Sequence, residues 1–67
     1  MTSVSVNGEA RDVPEGTSVA GLLRDMGFDV TRIAVEIDGS ICPKARLPDV
    51  ELVDGNRLEV VSFVGGG

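Results

Sequence analysis

One short amphipathic helix lies among segments that alternate like β-strands, and this arrangement restricts the fold. Ser18, or alternatively Thr17, can cap the helix, and Gly27 can end it in a left-handed conformation. Gly21 leaves room inside the helix for a close approach to a sheet. A helix of about nine residues is unstable alone, so it must pack on other elements. Four apolar residues at helical spacing form its buried stripe: Val19, Leu22, Leu23 and Met26.

Strand-like segments and tight turns account for most of the remaining chain. Residues 3–6 alternate polar and apolar, and Asn7-Gly8 is a hairpin signal that leads into a return strand over 9–13, at a sheet edge. Residues 33–37 form the most hydrophobic strand, and Asp38-Gly39 turns it into a short strand over 40–42. Asp54-Gly55 precedes the last strand. The order of elements predicts an α+β fold, with one helix on a mixed sheet.

Composition restricts the class of protein. Sixty-seven residues allow one domain, with a stability on the order of 3–5 kcal/mol. Phe28 and Phe63 are the two aromatic residues, so the core must be aliphatic. A net charge of −5 argues against binding to nucleic acid or to anionic membranes. Cys42 is the single cysteine, and the chain shows no signal-peptide or transmembrane pattern. We therefore expect a cytoplasmic protein.

The chain offers little chemistry of its own. Histidine is absent, which excludes serine–histidine and cysteine–histidine catalysis and histidine-ligated metal sites. Cys42 lies between Ile41 and Pro43, where a core filler is the better interpretation than a reactive thiol. Lys44 and Arg46 fit a solvated loop better than a docking site. We expect neither an enzyme nor a bound metal or cofactor.

The last strand has an outward face of unusual composition. If Leu58 and Val60 point inward, then Glu59, Val61 and Phe63 share the opposite face by the two-residue period. Grouped apolar residues on an exposed face often mark an interaction site. We predict that this face docks a partner. The alternative is that Phe63 folds over the sheet edge into the core.

A run of glycines follows that strand. Gly65, Gly66 and Gly67 provide no packing and cost more entropy to order than any other residue. The four residues Val64 to Gly67 span at most roughly 13–14 Å, enough to carry a terminal carboxylate into a narrow channel of another protein. A frayed end is the alternative. We predict a domain over 1–64 and a flexible tail over 65–67.

These features together resemble the ThiS-type sulfur carrier proteins, which have the ubiquitin-like β-grasp fold. The resemblance covers essentially the whole chain, and the order of its motifs is more specific than any one of them. The matching segments are Val6-Asn7-Gly8, Gly16-Thr17-Ser18-Val19, Leu22-Leu23, Ile33-Ala34-Val35-Glu36-Ile37-Asp38-Gly39, Pro43-Lys44, Leu52-x-Asp54-Gly55 and Glu59-Val60-Val61-Ser62-Phe63-Val64-Gly65-Gly66-Gly67.

The resemblance implies a fold and a chemistry. The fold is a mixed sheet of four or five strands around one main helix. An E1-like enzyme uses ATP to adenylate the carboxylate of Gly67, and sulfur then replaces the adenylate to give a thiocarboxylate. Thiazole synthase receives this sulfur during thiamine biosynthesis, and a further protein donates it. Gly66 matches the required neighbour of Gly67. From the residues themselves, we predict that Gly65 and Gly66 give the tail access to the enzyme and that Val61, Phe63 and Val64 contact the partner.

Two alternatives remain open at this point. The same chemistry serves other pathways, namely molybdopterin, cysteine or a specialised metabolite. The second alternative is that the chain is a non-covalent ubiquitin-like adaptor. We expect a monomer when no partner is bound. This sequence departs from the family at Asp38 and Asn56, where the family more often has Asn and Asp. Both are turn positions that tolerate the change.

Overall fold

Within residues 1–63, five strands form one mixed sheet, and a single α-helix packs on one of its faces. The computed structural model describes residues 1–63. A 3₁₀ helix, Lys44–Asp49, lies in the connection between the fourth and fifth strands. The elements in chain order are β1 (Thr2–Val6), β2 (Glu9–Val13), α1 (Val19–Asp25), β3 (Ile33–Ile37), β4 (Ser40–Cys42) and β5 (Arg57–Ser62).

The strand order across the sheet is β2-β1-β5-β3-β4. β1 pairs with β5 in parallel, whereas the β1–β2, β3–β4 and β3–β5 pairs are antiparallel. This arrangement confirms the predicted α+β fold with a mixed sheet and one main helix. It also confirms that β2 lies at an edge. The last strand along the chain is the middle strand of the sheet.

Two hairpin turns are built as the sequence predicts. Asn7 and Gly8 have φ angles of 49° and 86°, and Asp38 and Gly39 have φ angles of 51° and 88°. Positive φ at both central residues gives the turn whose twist matches the paired strands. Asparagine and aspartate tolerate this region better than other residues that carry a Cβ.

Ser18 caps α1, because its Oγ accepts a hydrogen bond of 2.9 Å from the backbone N–H of Gly21. The helix has seven residues rather than about nine, and Gly27 follows its last turn with a φ of +93°. The expectation for Gly21 was wrong. A Cβ at Gly21 would lie 3.2 Å from the Ser18 Oγ and would not meet the sheet. The glycine therefore leaves room for the cap.

The core lies between the sheet and α1 and is aliphatic, as predicted. Leu47 of the 3₁₀ helix is buried in it and holds the stretch between Pro43 and Pro48 against the core. Cys42 is half-buried against this core, in agreement with its interpretation as a filler. No helix within residues 1–63 is long and apolar enough to cross a membrane. The buried apolar residues are Val4, Val6, Val13, Val19, Ala20, Leu22, Leu23, Ile33, Val35, Leu47, Leu52, Leu58 and Val60.

Candidate functional site: the last strand and its exposed face

β5 leads to the glycine tail, and its side chains alternate between the core and solvent. Leu58 and Val60 are buried, whereas Val61 is 59% exposed and Phe63 is 57% exposed. The predicted exposure of this face is confirmed, and Phe63 does not fold into the core. The roles predicted for Val61 and Phe63 in partner binding remain predictions. Four further site residues lie outside the described residues: Val64, Gly65, Gly66 and Gly67.

Asp38 and Asn56 hold the start of β5. The Asn56 Nδ2 donates to one carboxylate oxygen of Asp38 at 2.8 Å, and the backbone N–H of Arg57 donates to the other at 2.8 Å. The Asn56 Oδ1 accepts from the backbone N–H of Val53 at 2.8 Å. The Arg57 N–H, followed by the Asn56 amide, lowers the pKa of Asp38 below its usual value. This network joins the β3–β4 turn to the last strand.

Asn7 holds the middle of β5 through its side chain. The strand β1 ends at Val6, so it supplies no backbone partner for Val60. The Asn7 Oδ1 accepts from the Val60 N–H at 2.7 Å, and the Asn7 Nδ2 donates to the Val60 carbonyl at 3.2 Å. One amide side chain therefore replaces a step of the β-ladder. It satisfies two backbone groups that would otherwise be unpaired in a partly buried position.

Beyond Val60, β3 and the residues before it support the chain. The Phe63 N–H donates to the Arg32 carbonyl at 2.8 Å. The Arg32 Nε lies 3.8 Å from the Oδ2 of Asp29. The Lys44 Nζ donates to the Thr31 carbonyl at 2.8 Å. The hydroxyl and backbone N–H of Thr31 lower the pKa of Asp29. Arg32 and Lys44 therefore both contact residues 29–31, next to the carbonyl that binds the Phe63 N–H.

The face of the sheet opposite α1 carries a ladder of four cross-strand pairs. Their eight residues belong to β3, to β5 and to the positions that flank these strands. All eight residues are exposed, and each pair has a different character. Within residues 1–63 no group of three or more acidic, cysteine or histidine side chains is placed to hold a metal ion. From the start of β5 to its end, the pairs are Asp38 with Arg57, Glu36 with Glu59, Ala34 with Val61, and Arg32 with Phe63.

Comparison with known proteins identifies the family to which this sheet and tail belong. The model of the ThiS family matches residues 4–67, which is nearly the whole chain. The chain belongs to the ThiS family.

Individual ThiS relatives agree with this assignment. A protein named sulfur carrier protein ThiS, from Thermus thermophilus, is 34% identical over 96% of this chain and 98% of its own length. A thiamine biosynthesis protein (ThiS) from Geobacter metallireducens has a crystal structure that superposes with a TM-score of 0.80 at 26% identity. That superposition covers 98% of this chain and 100% of the other. It confirms the expected β-grasp fold.

A third relative is much longer than this ThiS chain. The protein named thiazole synthase from Paramagnetospirillum magneticum is 40% identical over 92% of this chain. The chain spans only 19% of that protein's length. The similarity therefore concerns one region of a larger polypeptide.

Two side-chain contacts in the ThiS site were not foreseen from the sequence. The motif Val6-Asn7-Gly8 predicted the turn correctly, but it gave no sign that the Asn7 amide binds β5. From the sequence alone, Asp38 and Asn56 are two separate, tolerated departures from the family pattern. The structure shows that they bond to each other, so their combined exchange was the signal that could have revealed the contact.

This contact leads to a test by paired substitution. Asp38→Asn places an amide donor against the Asn56 donor, and Asn56→Asp places two carboxylates together. We expect each single change to lower Tm by about 4–8 °C. The double variant restores one donor and one acceptor, and Asn tolerates the positive φ at position 38. It should therefore recover most of the lost Tm, measured by thermal unfolding of all four proteins. Additive losses would contradict the pairing.

Proposed function

We propose that this chain is a sulfur carrier protein that donates sulfur for thiazole formation in thiamine biosynthesis. The observation that carries this proposal is the match of residues 4–67 to the ThiS family, in a chain where an exposed face leads into Gly65-Gly66-Gly67. The reacting group is the carboxylate of Gly67. The chain acts as a protein substrate of other enzymes.

The proposed chemistry has two steps. A carboxylate oxygen of Gly67 attacks the α-phosphorus of ATP, which the E1-like adenylating enzyme binds, and pyrophosphate leaves. Hydrosulfide supplied by the donor protein then attacks the acyl carbon, a C–S bond forms as the C–O bond to AMP breaks, and the terminus becomes a thiocarboxylate. Adenylation is needed because a free carboxylate is a poor electrophile. Glycine suits both steps because it has no side chain to obstruct the approach to the carbonyl carbon.

Thiazole synthase is the proposed acceptor of the sulfur. A region similar to this chain occurs within a longer protein of that name in Paramagnetospirillum magneticum. A carrier-like region inside a thiazole synthase polypeptide supports the proposal that this chain binds a thiazole synthase when it delivers sulfur. The Thermus relative of matching length, named as a sulfur carrier, supports the same assignment.

Intact-mass spectrometry tests the proposal directly. The purified chain is incubated with the adenylating enzyme of its own organism, ATP and a sulfur donor. We expect the mass to rise by the difference between one sulfur and one oxygen atom, and to stay unchanged when ATP is omitted. The absence of a gain, with an enzyme shown to be active on another ThiS carrier, would overturn the proposal.

A further inference from the structure

Glu36 and Glu59 form the one pair of like charges in the ladder on the exposed face. They are registered partners in the antiparallel pairing of β3 with β5, and both are exposed. Directly opposed residues on one face of a sheet have Cβ atoms about 4.5–5.5 Å apart, and like charges at this distance are unfavourable. Two negative charges therefore lie side by side on the exposed face of the sheet.

No basic group of residues 1–63 lies within 4.0 Å of the carboxylate of Glu36 or Glu59. The single ion pair within 4.0 Å in that part of the chain joins Arg32 to Asp29. Lys44 donates its hydrogen bond to the Thr31 carbonyl. Neither glutamate is therefore in an ion pair inside the described domain, and Arg57, two residues before Glu59 on the same strand, is paired in the ladder with Asp38.

Apolar side chains border the glutamates on two sides. Ile41 of β4 is opposite Glu36 and is 76% exposed. Val61 and Ala34 form the next pair toward the tail. A cation that approaches Glu36 and Glu59 would thus be accompanied by apolar contacts, and its removal from water would strengthen the charge interaction.

We propose that Glu36 and Glu59 bind an arginine or lysine side chain of the adenylating enzyme, with Val61 and Ile41 in contact with apolar groups around it. This inference rests on the proposed function. Phe63 lies four residues before Gly67, and four residues reach at most roughly 13–14 Å. An enzyme that holds Gly67 in its active site therefore lies close to Phe63, at the end of the exposed ladder. A second copy of this chain fits less well, because its own two glutamates would add to the repulsion.

The test removes both charges without changing the shape of the side chains. The variant Glu36→Gln/Glu59→Gln is compared with Glu9→Gln/Glu51→Gln, which alters two exposed glutamates away from this ladder. Each double change removes two negative charges, so the net charge goes from −5 to −3 in both. Binding to the adenylating enzyme is measured by calorimetry without ATP, at low and high salt.

We expect the Glu36/Glu59 variant to raise Kd by about tenfold or more and to reduce its dependence on salt. Its Tm should equal or exceed that of the unaltered protein, because a repulsion has been removed. The control should bind within about twofold of the unaltered protein, as expected when only rim charge changes. This combination of weaker binding and undiminished stability supports the inference.

Other results would overturn it. An unchanged Kd shows that no cation binds there, and an equal loss in the control shows an effect of net charge alone. A lower Tm shows that the glutamates stabilise the free domain. Sedimentation of the free chain as a dimer that the Glu36/Glu59 variant alters would assign the face to a second copy. In each case a mass gain with the unaltered chain leaves the sulfur-carrier function intact.

Discussion

A variant that lacks Gly66 and Gly67 is expected to form no thiocarboxylate while it retains the Tm of the full chain. The buried residues of the described domain run from Thr2 to Val60, so the core does not depend on these glycines. The deletion removes the reacting carboxylate and leaves a new one two residues short of the adenylating site. Intact mass and thermal unfolding of the same sample measure both properties.

Deletion of Gly65 alone is the matched control, because it shortens the tail and keeps the Gly66-Gly67 end. We expect it to slow thiocarboxylate formation without abolishing it, because the two terminal residues are still glycines and only the length of the tail is reduced.

The deletion of Gly66 and Gly67 also separates a carrier from a non-covalent adaptor. An adaptor would keep its cellular function after loss of Gly66 and Gly67, whereas a carrier would lose it completely.

Val61→Asp and Phe63→Asp are each expected to weaken binding to the adenylating enzyme by about thirtyfold, the effect of losing about 2 kcal/mol at an interface hot spot. Both side chains are more than half exposed and contribute little to the core. Tm should fall by only a few degrees, through the lower β-propensity of aspartate. Calorimetric Kd and thermal unfolding provide the two measurements.

Val53→Asp is the control for these variants. Val53 is 58% exposed, close to the 59% of Val61, but it lies in the connection before β5 and outside the ladder. Val53→Asp makes the same change of side chain and charge as Val61→Asp, and the same change of charge as Phe63→Asp. Equal weakening by Val53→Asp would reduce the effect to net charge. Loss of the cooperative unfolding transition in Val61→Asp or Phe63→Asp would show that these residues are part of the core.

Local sequence signals predicted the elements well. The helical stripe and the turns at Asn7-Gly8 and Asp38-Gly39 depend on residues near one another in the chain, so their chemistry is visible without the fold. The alternation of β5 also predicted that Val61 and Phe63 face solvent. Each of these expectations needed only a period or a turn preference.

Long-range pairing was the part that local signals could not provide. The parallel register of Ser5 with Arg57 joins residues far apart in the sequence, and no local pattern specifies it. The Asn7 amide binds Val60 only because β1 ends where β5 continues. The Gly21 expectation failed for a similar reason: a propensity argument gives the cost of a glycine but does not say which neighbour its missing Cβ would meet.

The central position of β5 has a mechanical consequence. A partner that draws the tail into its active site pulls along the axis of this strand. The hydrogen bonds to β1, to the Asn7 amide and to β3 all lie across that axis, so they bear the load together in shear. A strand at the sheet edge would have bonds on one side only. A force applied along β5 would therefore be shared by hydrogen bonds on both sides of the strand in the described sheet.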